Sequence, residues 1–87
     1  MTITQLKYVL AVAEHKNFTL AAEKCFVTQP TLSMQIQKLE EELDIQIFDR
    51  TKKPIGLTDV GSKIVTQAKN IVNEANRIKD IVDQQKG

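Results

Sequence analysis

The sequence predicts a mainly α-helical fold, with three short helices and a small β-hairpin followed by one long helix. Three observations carry this expectation. Residues 18–39, FTLAAEKCFVTQPTLSMQIQKL, hold two apolar patterns at helical spacing, Leu20-Ala21-Ala22-Cys25 and Leu32-Ile36-Leu39, on either side of a break too brief for a loop. Two short strand-like runs flank Lys52-Lys53-Pro54. From Gly61 to Val82, apolar residues recur at alternating intervals of three and four. Two amphipathic helices with so short a join must cross steeply, which defines a helix-turn-helix unit, and the hairpin after it is a wing. Residues 1–58 are expected to form this winged head, and residues 59–87 a linker and dimerisation helix.

The first helix is expected over about 3–15. Thr2 with Gln5 has the form of a capping box, and Ile3, Leu6, Val9, Leu10 and Ala13 recur at helical spacing. Phe18 restarts the apolar sequence and is expected to dock this helix on the next. Thr19 can cap a second helix over about 19–26, whose small Ala21 and Ala22 suit a tight crossing. Phe26 stands near the place where helix-turn-helix turns often carry Gly. Thr28 is a second good cap, and Pro30 falls in the first turn of the third helix, where a missing N–H costs nothing. That helix should run from 29 or 30 to 43.

On the third helix, Leu32, Ile36, Leu39 and Leu43 form one stripe toward the core. The opposite face carries Pro30, Ser33, Met34, Gln37, Lys38 and Glu41. Its first half is uncharged and rich in hydroxyls and amides; its far end holds Glu40, Glu41, Glu42 and Asp44. Acids at a helix C-terminus oppose the macrodipole and would be repelled by phosphates. Only the N-terminal half of this helix can therefore lie against a polyanion.

Ile47–Thr51 and Ile55–Thr58 read as two short strands with Lys52-Lys53-Pro54 at the tip, a hairpin that must lean on the helices because two strands alone are not stable. Thr58 caps the last helix, expected over about 59–84 and roughly 39 Å long. Gly61, Ile64, Ala68, Ile71, Ala75, Ile78 and Val82 make a heptad seam along it, too long to be buried against residues 1–58. A second copy of the chain is its natural partner. Ile and Ala mix at both seam positions with no ordered flanking charge code, so the strand direction stays open.

Composition bounds these readings. Eighty-seven residues suffice for one small domain. A hydrophobic content of 41% marks it as globular, and aromatics at 5% with no Trp make the core aliphatic. The net charge of +1 does not announce a nucleic-acid binder, so the distribution of charge must carry that case. A single Cys excludes an internal disulfide and fits a reducing cytosol. No run approaches the roughly 18 apolar residues of a membrane span, and the N-terminus lacks a signal peptide's apolar core. The expectation is a soluble, cytoplasmic protein with no membrane partner.

Reading duplex DNA takes short donor and acceptor side chains on an exposed helix that enters the major groove. Gln29, Thr31, Ser33, Gln35 and Gln37 supply them, Gln35 the least because it points nearer the core edge; Thr28 can bond a phosphate, and Lys38 is the one charge on the face. The same face also reads as an ordinary solvated surface, the commonest kind. Arg50, Lys52 and Lys53 would anchor phosphates, which supply register and salt-sensitive affinity. Arg50 has an alternative, an ion pair with one of the Glu40–Glu42 acids. Met34 could meet a thymine methyl or simply be exposed. Cys25, on an apolar stripe, reads as a small buried hydrophobe. His15 has no second ligand at metal spacing and no nucleophile to serve, and no glycine-rich phosphate loop is present. No catalytic site, metal site or cofactor is expected. A rival reading makes the heptad helix the active surface of a protein-interaction module whose head only folds.

The run AVAEHKNFTLAAEKCFVTQPTLSMQIQKLEEELDIQIFDRTKKPIGLTDVG resembles the N-terminal domain of LysR-type transcriptional regulators, with the AA, TQPTLS, QI-KLE-EL and FDR elements in order and without gaps. Within that family, AEH, Cys25 and QPTLS are more similar to the peroxide-sensing, OxyR-like branch. The resemblance implies sequence-specific double-stranded DNA binding at a pseudo-palindromic site, with control of oxidative-stress genes. It also implies a linker helix that pairs antiparallel in a homodimer, and tetramers in the full-length family. The family's DNA-contacting positions fall on Thr28, Gln29, Pro30, Thr31, Ser33 and Met34, and on Arg50 and Lys53 of the wing. Many members carry Arg where this chain has Met34, which shifts weight to Gln29, Ser33 and the wing. Family members also carry a C-terminal effector domain, absent from these residues, so the chain reads as an excised or truncated DNA-binding domain. In the OxyR-like branch the reactive cysteines lie in that missing part, in keeping with a structural Cys25.

Overall fold

A computed structural model describes residues 1–87. Thr2 opens α1 (Ile3–His15) with the expected reciprocal box: its hydroxyl accepts from the Gln5 N–H, and the Gln5 side chain accepts from the Thr2 N–H, both at 3.0 Å. The buried positions of α1 are Gln5, Leu6, Val9 and Val12. Leu10 and Ala13 lie at the edge of the core, and Ile3 is exposed.

The second helix differs from expectation at both ends. α2 spans Phe18–Lys24, and its cap is Asn17, whose side chain accepts from Leu20 N–H at 2.8 Å, rather than Thr19. Starting one residue earlier turns Phe18 inward, where its ring meets Phe48 edge-on at 5.8 Å. The helix closes two residues early on a turn in which Phe26 N–H donates to Glu23 and Val27 N–H to Ala22. This places Phe26 in the left-handed region at φ 59° and leaves it 94% exposed.

α3 (Gln29–Leu43) begins at Thr28 with Pro30 in its first turn, as expected. Leu32, Ile36 and Leu39 are fully buried, while Leu43 is partly exposed at the rim. The helix ends on a second turn of the same kind, with Asp44 left-handed at φ 54° and the N–H groups of Asp44 and Ile45 bonded to Glu41 and Glu40.

The wing is shorter in regular structure than the sequence suggests. β1 (Phe48–Asp49) and β2 (Gly56–Leu57) pair antiparallel, Phe48 opposite Leu57 and Asp49 opposite Gly56. Ile47 and Phe48 are buried in the core, which docks the hairpin on the helices. Thr58 then joins wing to the last helix, α4 (Asp59–Lys86). Its hydroxyl accepts from Gly61 N–H at 3.0 Å and donates to the Gln46 carbonyl at 2.6 Å.

The seam expected on α4 divides into two stripes. Gly61, Val65, Ala68 and Val72 are buried against the head. Ile64, Ile71 and Ala75 are half-buried, and Ile78, Ile81 and Val82 are exposed. At about 100° per residue these stripes lie some 80° apart around the helix. Gly61 and Ala68, expected in the seam, thus belong to the core of a single chain. The first half of α4 lies on α1 and the second half extends past the head, giving the molecule a length of 49 Å. No helix is long and apolar enough to cross a membrane.

Candidate nucleic-acid interface

One face of the N-terminal half of α3 stands clear of the core. Thr28, Gln29, Pro30, Thr31, Met34, Gln37 and Lys38 are exposed, and Ser33 is half-buried. The face is internally ordered. Thr28 donates its hydroxyl hydrogen to Thr31 Oγ1 at 2.9 Å and accepts from the Thr31 N–H, while Gln29 Nε2 donates to Ser33 Oγ at 2.6 Å. With Ser33 Oγ already accepting, its own hydrogen is free to point outward as a donor, and Gln29 keeps its carbonyl oxygen as an acceptor. Gln37 stays exposed on this side of the helix, donating to Glu41 at 3.3 Å. Gln35 leaves the face altogether, accepting from Gln5 of α1 at 3.2 Å.

Glu40, grouped by sequence with the outward acids, is instead 4% exposed. Its Oε2 accepts from the N–H groups of Ile47 and Phe48 at 2.8 and 3.4 Å, and its Oε1 takes Arg50 Nη2 at 3.3 Å. Arg50 also lies over the Phe18 ring, 4.7 Å from its centroid. Of the two readings open for Arg50, the ion pair is therefore formed, although half the side chain still faces solvent. The signal for Glu40 was its place four residues past Ile36, at the margin of the buried stripe, with a cation ten residues on.

Lys52 and Lys53 are exposed at the wing tip, the stem of Lys52 lying across Gly56. The tip is shaped by Asp49, which accepts from both the hydroxyl and the N–H of Thr51. These bonds hold the Asp49 carboxyl below its usual range, helped by nearby Lys52.

Cys25, half-buried where α2 ends, has its thiol pushed up by burial, the opposite of what a reactive thiolate needs. His15 approaches only Glu14, at 3.8 Å, and no group of three acidic, His or Cys side chains gathers as a metal site. The free apolar surface lies on α4, where Ile78, Ile81 and Val82 lead back along the helix to a groove of 220 Å³ between Leu6, Leu43, Ile64 and Ile71. Ile81 was absent from the expected seam because it lies outside the three-four repeat.

Three crossed helices, a β-hairpin at their edge and a long terminal helix define a winged helix-turn-helix domain extended by one long helix. The chain belongs to the bacterial regulatory helix-turn-helix proteins of the lysR family, whose sequence model matches residues 3–62. It is 42% identical over 85 residues to the DNA-binding transcriptional dual regulator OxyR of Escherichia coli, covering 98% of this chain and 28% of that protein. The hydrogen peroxide-inducible genes activator of Haemophilus influenzae is 41% identical, with the same coverage. The chain therefore spans little more than a quarter of these curated relatives. Among solved structures, a full-length OxyR variant from Pseudomonas aeruginosa superposes with a TM-score of 0.93 at 42% identity, over 100% of this chain and 30% of that one. The BenM domain in complex with benA site 1 DNA superposes with a TM-score of 0.92 at 34% identity, covering 100% of this chain and 98% of that one.

Proposed function

We propose that this chain is the DNA-binding part of a transcription regulator, a binding module and not an enzyme, acting on double-stranded DNA in the cytoplasm. The observation that carries the reading is the exposed, uncharged face of the first half of α3, built from Thr28, Gln29, Thr31 and Ser33, while the one buried acid of the helix, Glu40, is turned into the wing. BenM, whose domain matches almost end to end, is described in complex with DNA, which supports the same role here. Gln29, Ser33 and Met34 present to base edges, with Pro30, Thr31, Gln37 and Lys38 around them. Thr28, Lys52, Lys53 and the free side of Arg50 meet phosphates.

A second copy is the partner of the Ile71–Ala75–Ile78–Val82 stripe. The apolar groove lies at the N-terminal end of that stripe and the exposed Ile78, Ile81 and Val82 at the other end. An antiparallel pair brings each free end onto the other copy's groove; a parallel pair leaves both grooves open. Two heads so joined fit a pseudo-palindromic site. Relatives named for peroxide-inducible genes favour an oxidative-stress regulon.

Selection of duplexes from a random library by the chain, followed by anisotropy titrations at several salt concentrations, tests this. Ser33→Ala is expected to weaken binding to the selected duplex far more than to a scrambled one. Lys53→Ala should weaken both and reduce the salt slope by about 0.9 for the lost phosphate contact. Equal losses on both duplexes for Ser33→Ala would remove the reading role from α3.

A further inference from the structure

We propose that Glu40, which faces away from the DNA-reading surface, is a positioning residue for DNA binding: one buried carboxylate fixes the wing at a set place relative to the reading helix. The inference rests on the DNA-binding reading above and concerns how its two contact surfaces are held in register.

The wing has little of its own to hold it. Its ladder is only two residue pairs long, and a hairpin of that size does not persist unsupported. Thr58 and Gly61 secure the strand that leaves the wing. The strand that enters it hangs on Glu40, which sits on the same helix as Gln29, Ser33 and Met34. Oε2 receives the Ile47 and Phe48 N–H groups, and Oε1 receives Arg50. Arg50 in turn covers Phe18, and Phe18 abuts Phe48. One carboxylate thus joins the reading helix, the base of the wing and the start of α2.

An acid in this place is otherwise unfavourable. It stands in the last turn of α3, where the helix dipole repels negative charge, and burial removes it from water. A hydrophobe of the same size would fill the space, but it would leave two buried N–H groups without acceptors and Arg50 with only water to meet. What the carboxylate supplies is directional: three donors from one short segment converge on it, so the segment can take only one path. Lys52 and Lys53 follow within three residues of Arg50, and their reach toward phosphate depends on that path.

Glu40→Gln keeps the size of the side chain and removes the charge and one acceptor. The wild-type chain, Glu40→Gln, Lys52→Ala/Lys53→Ala and the triple variant are compared on a library-selected duplex and its scrambled form across a salt series, with far-UV circular dichroism as the check on folding. Glu40→Gln is expected to retain its helical signal, lose affinity for both duplexes by about ten-fold, and lower the salt slope by about 0.9 per lysine released. Added to the double lysine variant, it should cost no more than about three-fold, because the lysine contacts it controls are already gone and only the free side of Arg50 remains. A merely structural role lowers the melting temperature, leaves the slope unchanged and adds in full to the lysine losses; that result overturns the proposal. If Glu40→Gln loses its helical signal, Phe18→Leu decides in its place, since it removes the ring beneath Arg50 and keeps the carboxylate's amide bonds. A fall in slope then supports the role, and an unchanged slope overturns it. No saturable binding by the wild-type chain overturns the DNA reading and this inference together, whereas wild-type binding with an unaltered Glu40→Gln slope overturns this inference alone.

Discussion

A β-carbon on Gly61 would lie 2.0 Å from the carbonyl oxygen of Ile47. Only hydrogen fits between the first turn of α4 and the chain entering the wing. In most helices Gly→Ala is stabilising, by up to about 1 kcal/mol. Here the clash is with backbone and cannot be relieved by a rotamer, so Gly61→Ala is expected to cost about 3 kcal/mol. Urea unfolding measures it, and a loss below about 0.5 kcal/mol would show that α4 docks less closely than described.

Asp44→Gly and Phe26→Gly carry the opposite sign. Both residues occupy left-handed positions that close a helix, where a side chain costs roughly 1 kcal/mol and Gly does not. Phe26 is almost wholly exposed and gives up little packing, and Asp44 sets a carboxylate against the negative end of α3. Each change should raise stability by about 1 kcal/mol and the melting temperature by about 4–8 °C. Unchanged or lower melting temperatures for both would refute the strain.

The two stripes of α4 separate by mutation. Ile78→Glu with Ile81→Glu should leave the fold intact and abolish self-association, so that sedimentation finds monomers at every concentration. Ala68→Glu places a charge in the core of the head and should unfold the chain. A folded Ala68→Glu monomer would instead return that residue to the free seam.

The wing turn should respond to acid. Asp49 is held below its usual range by Thr51, so its carboxylate is favoured in the folded state. That contribution is present above the ordinary Asp range and is lost as pH falls through the lowered folded value. The Thr51 amide shift should follow a titration with its midpoint under the ordinary Asp value, absent in Asp49→Asn. A midpoint at or above the ordinary value would mean that the Thr51 bonds do not hold in solution.

What the sequence made legible was local. The Thr2–Gln5 box, the Thr28 and Thr58 caps and the Leu32–Ile36–Leu39 stripe each depend on residues a few positions apart, and each appears as expected. The Asn17 cap was hidden because Asn17 and Thr19 are both good caps, and the docking of Phe18 on Phe48 chooses between them. The sequence groups Glu40 with the outward acids because its donors, Ile47, Phe48 and Arg50, come from a segment that folds back onto it. A three-four repeat places Gly61 and Ala68 in one seam with Ile78 because it does not distinguish two neighbouring stripes, one buried and one free. The polar face of α3 is legible as a surface, as is the lean of Gln35 toward the core edge, but its partner Gln5 on α1 is not.

α4 runs without a break from inside the head to its free end. In the proposed dimer the angular phase between the α3 face and the free apolar stripe would therefore be set by counting residues along one rod. One residue inserted between Val72 and Ile78 would turn the free stripe by about 100° and advance it by about 1.5 Å, re-aiming both heads at once, whereas seven would nearly restore the phase and only widen the span. In the proposed dimer, the spacing between the two reading helices would thus follow from the length of one helix.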